Sequence, residues 1–469
     1  FTVNFEYAGA RTEKYDRQST LSLSKTNPVD GSLGAMIYAG HDGVGSTLQP
    51  YSLEPQPSIG LSYSPFASHK TVIRAGFGMA MQSYPLYGGH FATQGYNTAA
   101  SFTAPDEQLA PAFVLAGGVP RNFPPPPQLT PTAMNGLNPD YLDVSGRLPL
   151  TKSYSLSIQQ ELPKSISLDV TYVGWVIDDL FTDSLYRPNA VPISNLKYED
   201  QLNNLSFRNS LRPYPQFQDF SLGGVYPIGK AKSNSMTVTM DKRLSAGLFA
   251  RVIYRLAKQI DNVGVGPAQD PSNLDVEMTL NPGDVTHSLQ ANYTYDLPLG
   301  RGKRWLNSGG VLEKAIGGWS ISGITSWRGG TPLIIRPLFN YTGGIVPLLH
   351  INMVPGVDPA VADKSADHWF NPDAYSQPAD FTIGTASYTD PKLRNPWVQT
   401  HHLSLTKRFE LIADKSLELV AEAFNFLNHA NLNGPDTRIG PASSPNLNAG
   451  KIIGSSGGRV MQLGLRILF

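Results

Sequence analysis

The sequence predicts an all-β fold, an antiparallel up-and-down transmembrane β-barrel. Apolar and polar residues alternate in segments of about nine to twelve residues, the length that a tilted strand needs to cross the hydrocarbon core of a bilayer. Long and short connections alternate between these segments, as in barrels with long extracellular loops and short periplasmic turns. Charged residues make up only 16% of the 469 residues, against ~25% in an average domain. One face of each strand is therefore predicted to be apolar for lipid and the other polar for water.

The strands follow from this alternation in chain order. The clearest is 165–176, where Ile166, Leu168 and Val170 point to one side and polar residues point to the other. Scored in the same way, twelve segments are predicted strands, at roughly 1–9, 57–65, 71–81, 151–161, 165–176, 234–243, 247–257, 285–297, 318–329, 400–408, 416–427 and 459–469.

The connections between these strands differ strongly in length. In order they are about 47, 5, 69, 3, 57, 3, 27, 20, 70, 7 and 31 residues long. If consecutive strands run up and down, all the long loops lie at one end of the barrel and all the short turns at the other. The last strand then ends on the side of the short turns, which places Phe469 in the periplasm.

The two faces of the predicted strands differ in composition. Aromatic residues lie near the ends of the apolar rows, as in an interfacial girdle, and the opposite rows suit a water-filled lumen. A soluble all-β protein is the alternative, because half-buried strands of soluble proteins alternate as well. Charges of both signs on the polar rows are expected to pair across strands or to contact a plug or a polar solute. The candidate lumen-facing residues are Glu6, Arg74, Asp169, Asp241, Arg251, Arg255, Glu418, Glu422 and Arg466.

Composition excludes several other classes of protein. The 37 Lys and Arg balance the 37 Asp and Glu, and the cations are scattered, so a nucleic-acid partner is not expected. The chain has no cysteine, which removes disulfides, zinc-thiolate sites and cysteine nucleophiles.

Motifs for catalysis and metal binding are weak. Ser22 and Lys25 match the Ser-x-x-Lys pattern, but the companion motifs of that enzyme class are missing. The acidic segment 261–275 fits no known calcium loop. His401 and His402 are adjacent in a predicted strand, so their side chains point to opposite faces. We therefore expect no enzymatic activity, no metal site and no cofactor.

Five sequence blocks stand in series along the chain. They are 71–78 (TVIRAGFG), 157–163 (SIQQELP) with 170–174 (VTYVG), 293–303 (YTYDLPLGRGK) with 317–323 (GGWSISG), 417–429 (LELVAEAFNFLNH) and 458–469 (GRVMQLGLRILF). Together they resemble one family, the Oar-like TonB-dependent transporters, which are abundant in acidobacteria. The resemblance covers essentially the whole chain, and the blocks occur in the same order.

The resemblance implies the outer membrane of a Gram-negative bacterium and a receptor that takes up a ligand. Members of the family carry a signal peptide, a carboxypeptidase-regulatory-like domain, a plug that contacts TonB and a barrel of about twenty-two strands. This chain begins at a strand with no plug-like segment before it, so we expect 1–469 to be the C-terminal half of such a barrel.

The partners implied are outer-membrane lipid, the TonB system through the plug, and the barrel-assembly machinery. The family's assembly signal is a last strand with an outward apolar row and a final aromatic residue. In this sequence the resemblance assigns it to Met461, Leu463, Leu465, Ile467 and Phe469.

The ligand is expected to be a small solute, an oligosaccharide or a peptide. Specificity tends to lie on loops held by a rigid scaffold, here 10–56, 82–150, 177–233 and 330–399. The aromatic residues of these loops either stack on such a ligand or pack the loops together; they are Tyr84, Tyr87, Tyr186, Tyr214, Phe217, Trp369 and Phe370. A passive porin or a surface adhesion protein without energy coupling is the main alternative, and a soluble carbohydrate-binding protein is another.

Overall fold

The structure is a computed structural model of the chain. It describes residues 1–10, 12–82, 93–97, 101–104, 110–121, 128–182, 185–222, 226–264, 266–307, 310–411 and 415–469.

One large antiparallel sheet dominates the fold, and the predicted fold class is confirmed. Twelve strands follow one another in the sheet in the order in which they occur in the chain. They are β1 Thr2–Ala8, β2 Ser52–Tyr63, β3 Thr71–Met81, β4 Leu150–Leu162, β5 Ile166–Thr182, β6 Tyr226–Ser245, β7 Leu248–Asp261, β8 His287–Asp296, β9 Trp319–Arg328, β10 Val398–Glu410, β11 Ser416–Phe424 and β12 Val460–Leu468. Because each strand pairs with the next in antiparallel register, the long loops all lie at one end, called the outer end here, and the short turns at the other.

Tight turns close the hairpins at the end opposite the long loops. Ala246 and Gly247 form the two-residue turn between β6 and β7, and both have positive φ angles, 52° and 80°. Such turns match the right-handed twist of the strands they join. The three-residue turn between β4 and β5 also has positive φ angles at Lys164 and Ser165.

Cross-strand register gives the sheet two chemically distinct faces. Leu156 lies opposite Tyr172, Tyr172 opposite Met236, and Met236 opposite Leu256, so these side chains share one face. The other face carries a polar row in the same strands, since Ser157 lies opposite Thr171. The two faces are called the apolar face and the polar face below.

The apolar face is open to its surroundings. Large apolar side chains are exposed in strands at both edges and in the middle of the sheet; they include Phe5, Ile59, Leu61, Phe77, Leu156, Ile158, Leu256, Leu419, Met461, Leu463, Leu465 and Ile467. A soluble monomer rarely exposes an apolar patch of more than a few hundred Å². This face is therefore matched to lipid.

The sheet is open. Its edges are β1 and β12, which do not pair with each other in the part of the chain that the structure describes.

The connections at the outer end carry the remaining secondary structure, apart from one helix. Short strands pair as Ser19–Thr26 with Leu33–Tyr38, Asp140–Tyr141 with Ser221–Leu222, Arg336–Pro337 with Arg438–Ile439, Asn352–Met353 with Tyr375–Ser376, and Asn431–Leu432 with Ser455–Ser456, while Thr279–Leu280 pairs with β7. The helices are α1 Leu205–Ser210 and α2 Val311–Ile316, with 3-10 segments at Leu115–Gly117, Ile193–Asn203, Leu274–Glu277 and Pro372–Ala374. Among the helices of the described residues, α2 alone lies in a connection at the opposite end, between β8 and β9.

The hydrophobic cores of the protein lie in the outer loops rather than in the sheet. One cluster joins Leu21 and Met36 to Phe217, and another joins Leu333 and Phe370 to Ile439. Two further clusters join loop 183–225 to loop 329–397, one of them together with loop 262–286. The outer loops therefore form one folded layer over the end of the sheet. Among the described residues, no helix combines the length and apolar character needed to span a membrane.

Candidate functional site

The polar face of the sheet holds all nine charged residues predicted to line a lumen. Cross-strand pairs link Asp169 to Thr239, Asp241 to Arg251, and Glu418 to Arg466, and every one of these side chains belongs to the face opposite the apolar rows. Glu6, Arg74, Arg255 and Glu422 fall on the same face by register. Whether this face encloses a lumen remains a prediction.

Four of these charges form two ion pairs between neighbouring strands. The Arg251 guanidinium lies 3.5 Å from the Asp241 carboxylate, and the Arg466 guanidinium lies 3.7 Å from the Glu418 carboxylate. Exposed pairs of this kind contribute roughly 0–1 kcal/mol each, so their main effect is to fix side-chain direction.

Three others are held by neutral polar groups. Arg74 donates to the Gln159 side chain at 3.1 Å, and Thr171 donates to Asp169 at 2.6 Å. The Gln56 amide donates to Glu6 at 3.4 Å. The polar face thus presents both charged and neutral hydrogen-bonding groups, which are suited to contact water or a polar solute.

Two clefts between the outer loops are large enough for a small ligand. The Phe339 cleft, of about 970 Å³, is lined by Phe339, Tyr341, Gln377, Asp380 and Asn446 among others. Ligand sites usually have volumes of roughly 300–1,000 Å³. The rings of Phe339 and Tyr341 are stacked with centroids 5.6 Å apart, and both are exposed.

The second opening, the Asp436 cleft, is about 740 Å³ and is lined by Arg336, Asn395, Asp436, Arg438 and Lys451 among others. Arg438 donates to both Asp436 oxygens at 3.1 Å, and Asn446 donates to the same carboxylate at 3.2 Å. These hydrogen bonds, with that from Arg438 the strongest, lower the pKa of Asp436 to about 2. The cleft therefore presents a fixed carboxylate beside cationic groups.

The aromatic loop residues predicted to contact a ligand differ in how deeply they are buried. Phe217 and Phe370 are almost completely buried in loop cores, where they pack the loops together. Tyr214 is half-buried against Phe220, and the Trp369 indole donates to the Arg394 carbonyl at 2.7 Å.

Tyr186 packs edge-on against Tyr226, with ring centroids 5.6 Å apart. Tyr84 and Tyr87 lie outside the described residues.

Sequence reasoning did not single out Phe339 and Tyr341. They stand two residues apart in a loop without apolar alternation, and that spacing places two aromatic side chains on the same side of an extended segment. An aromatic pair at this spacing within a polar loop is the signal that points to an exposed platform.

The residues named in the weak motifs do not converge on a site. Lys25 lies 3.9 Å from the Asp42 carboxylate, and only its backbone N–H contacts the Ser22 hydroxyl. In the described ranges, no group of three His, Cys, Asp or Glu side chains is placed to hold a metal ion. Asp261 accepts hydrogen bonds from Gln259, Asn281 and the Gly264 amide.

The last strand presents a row of exposed apolar side chains. Met461, Leu463, Leu465 and Ile467 share the apolar face with Leu417, Leu419 and Ala421 of β11, and the Phe469 side chain is exposed at the chain end. Their role as an assembly signal remains a prediction.

Three solved proteins align with most of this chain at low sequence identity. The transporter YddB from Escherichia coli aligns with 92% of this chain and 42% of its own, at 10% identity and a TM-score of 0.43. The FrpB iron transporter from Neisseria meningitidis aligns over 93% and 42%, at 10% identity and a TM-score of 0.38. The ferripyoverdine receptor of Pseudomonas aeruginosa aligns over 93% and 35%, at 11% identity and a TM-score of 0.36.

The chain spans less than half the length of these solved proteins. No curated protein sequence matches it significantly. The sequence profile described as "Outer membrane beta barrel domain" matches residues 3–462, which is nearly the whole chain. This match agrees with the exposed apolar face, the polar face and the one-sided loops, and it places the protein in the outer membrane. The chain belongs to the outer membrane beta barrel domain family.

Proposed function

We propose that the chain is the C-terminal part of the barrel of an Oar-like, TonB-dependent outer-membrane receptor that takes up a small solute, an oligosaccharide or a peptide. The observation that carries the proposal is the continuous polar face of twelve strands beneath a folded loop layer with ligand-sized clefts. A solute captured in a cleft would pass along hydrogen-bonding groups rather than along lipid. The motif blocks in the sequence support the Oar-like subtype.

The free edges of the sheet support a larger barrel. A bilayer offers no water to hydrogen-bond the unpaired N–H and C=O groups of β1 and β12, and each unsatisfied group costs several kcal/mol. Both edges therefore need strand partners in the membrane, and a barrel of about twenty-two strands supplies them.

The soluble carbohydrate-binding alternative is wrong. The chain belongs to an outer-membrane family, and its sheet exposes apolar side chains across one whole face. A passive porin and a surface adhesion protein remain as alternative functions, because both could be built on the same sheet with one apolar and one polar face.

Conductance and TonB binding separate the competitors. The natural full-length protein is purified, inserted into planar bilayers in KCl, and tested for binding to the periplasmic domain of TonB. We expect a closed protein that binds TonB, because a plug blocks the lumen in such receptors. Stable open-pore conductance without TonB binding would identify a porin, and a closed protein without TonB binding would favour an adhesion protein.

A further inference from the structure

Three arginines converge on one small pocket in the outer loop layer. Arg187, Arg208 and Arg212 line it together with Asp219 and apolar residues of the same loop, 183–225, and loops 262–286 and 329–397 supply the rest of its wall. It is called the arginine pocket here. Its chemistry differs from that of the Phe339 cleft, which is lined by aromatic, amide and carboxylate groups.

Backbone carbonyls fix two of the guanidinium groups without neutralising them. Arg208 Nη1 donates to the carbonyls of Leu202 at 3.2 Å and Gly343 at 2.5 Å. Arg212 Nη1 donates to the Asn189 carbonyl at 2.8 Å. Each guanidinium has five N–H donors in a rigid fork, so these contacts leave donors on both groups for another acceptor.

The third arginine is bound more loosely. The Arg187 side chain is 47% exposed and lies 3.7 Å from the Asp219 carboxylate. Arg212 lies 3.9 Å from the same carboxylate, and Asp219 already accepts the Phe220 amide at 2.8 Å. Both ion-pair distances exceed the ~2.7–2.9 Å of a charge-assisted hydrogen bond.

The charges of the pocket do not balance. Asp219 is the one acidic residue among the lining residues that the structure describes, so three cations against one anion leave two positive charges. Burial lowers the pKa of Arg212, and repulsion from Arg208 and Arg187 lowers it further while Asp219 opposes the change. Like charges gathered in a partly buried site are unfavourable unless an anion joins them.

We propose that the arginine pocket binds the oxyanion group of a small solute, a carboxylate or a phosphate. The free space is about 50 Å³, which is room for one or two water molecules at ~30 Å³ each and suits a single compact group of this kind. Guanidinium groups recognise carboxylate and phosphate by paired N–H donors. This inference names the class of ligand. It rests on the proposed function only for the step after binding, the transport of the anion across the outer membrane.

Two substitutions test the pocket in opposite directions. Arg187→Gln removes a charge from a side chain that donates no hydrogen bond to the described loops, whereas Asp219→Asn removes the opposing charge and keeps the oxygen that accepts the Phe220 amide. Inorganic phosphate and citrate are titrated into the full-length protein in detergent at low salt, by calorimetry. We expect binding of at least one probe, at least about fivefold weaker for Arg187→Gln and at least about fivefold tighter for Asp219→Asn.

Arg121→Gln is the matched control, because Arg121 is an exposed loop arginine outside the pocket. Its affinity should stay within about twofold of the unchanged protein. Absence of phosphate and citrate binding by the unchanged protein would overturn the proposal, as would equal affinities in Arg187→Gln and Asp219→Asn. Misfolding cannot imitate the expected pattern, since a damaged loop does not bind an anion more tightly.

Failure of the pocket and failure of the proposed function give different results. If the protein binds phosphate but conducts as an open pore, the pocket proposal stands and the proposal of TonB-dependent transport fails. If the protein is closed and binds TonB but binds neither phosphate nor citrate, the transport proposal stands and the pocket proposal fails.

Discussion

The charged carboxylate of Asp436 stabilises the outer loop between β11 and β12. Arg438 and Asn446 donate to this carboxylate, and the pKa is lowered to about 2. In an unfolded chain an aspartate has a pKa of about 4, so the folded loop favours the charged form. The resulting stabilisation is complete above about pH 4 and is lost as the pH falls from about 4 to about 2.

We therefore expect the segment 434–450 to open between about pH 4 and pH 2. The effect should be about 1–2 kcal/mol of local stability, because the Asp436 side chain is still 21% exposed. Pepsin, which is active in this range, should cut the segment faster as the pH falls. In Asp436→Asn the segment should already be cut quickly at pH 4.5, with little further change on acidification.

Asp363→Asn is the control, since Asp363 is exposed and has no hydrogen-bond partner in the described loop. It should behave as the unchanged protein does. A cleavage rate that does not depend on pH once pepsin activity is corrected for would contradict the role given to Asp436.

Single residues of the sheet could be predicted from sequence better than residues of the loops. Strand register follows from alternation, so Asp241 and Arg251 could both be assigned to one face before their pairing was known. The loop aromatics could not be divided in this way. Phe217 is buried because it meets Leu21 and Met36, which lie far away in the chain, and no local pattern encodes that contact.

Glycine and tyrosine form matched pairs across neighbouring strands. Tyr293 of β8 lies directly opposite Gly323 of β9, and Tyr154 of β4 lies opposite Gly174 of β5. A Cβ atom placed on either glycine would clash with the ring of its tyrosine. Each ring thus covers the backbone of a glycine, a recognised device for stabilising glycine within a sheet.

Gly323→Val should force the Tyr293 ring off the sheet. Overpacking of this kind costs typically about 1–3 kcal/mol, and we expect that loss in the free energy of unfolding. The measurement is urea unfolding of the protein in lipid vesicles, followed by tryptophan fluorescence. Gly60→Val is the matched control, because a Cβ there meets nothing within 4 Å. Equal stability losses in the two variants would show that the ring contact is unimportant.

All twelve strands could be predicted, but the outer ends of some of them could not. β5 continues to Thr182, beyond the predicted end at 176, and β6 begins at Tyr226 rather than at 234. The apolar alternation stops where a strand leaves the lipid, although the backbone pairing continues into the loop layer. The hairpin Ser19–Thr26 with Leu33–Tyr38 was not predicted, because its strands are shorter than a membrane crossing and pack within the loops.

At the scale of the whole molecule, the sheet is a wall between two environments. Its apolar face is exposed without a protein core against it, and the cores lie in the outer loops instead. This division explains the low proportion of charged residues, since only one face of each strand and the loops have to meet water. It also explains why the buried apolar residues lie mainly in the outer loops, although the sheet is the main structural element of the protein.

The most direct test of this claim uses the absence of cysteine from the chain. Single nitroxide labels are attached at Leu168→Cys, Asp169→Cys, Val170→Cys and Thr171→Cys in β5 of the full-length protein in lipid vesicles, after any cysteine outside this chain has been replaced by serine. Collision rates with oxygen, which partitions into lipid, and with a water-soluble nickel chelate are then compared by electron paramagnetic resonance. We expect oxygen to dominate at 168 and 170 and the nickel chelate at 169 and 171. Equal rates at all four positions, or the reverse alternation, would contradict a wall with lipid on its apolar face and water on its polar face.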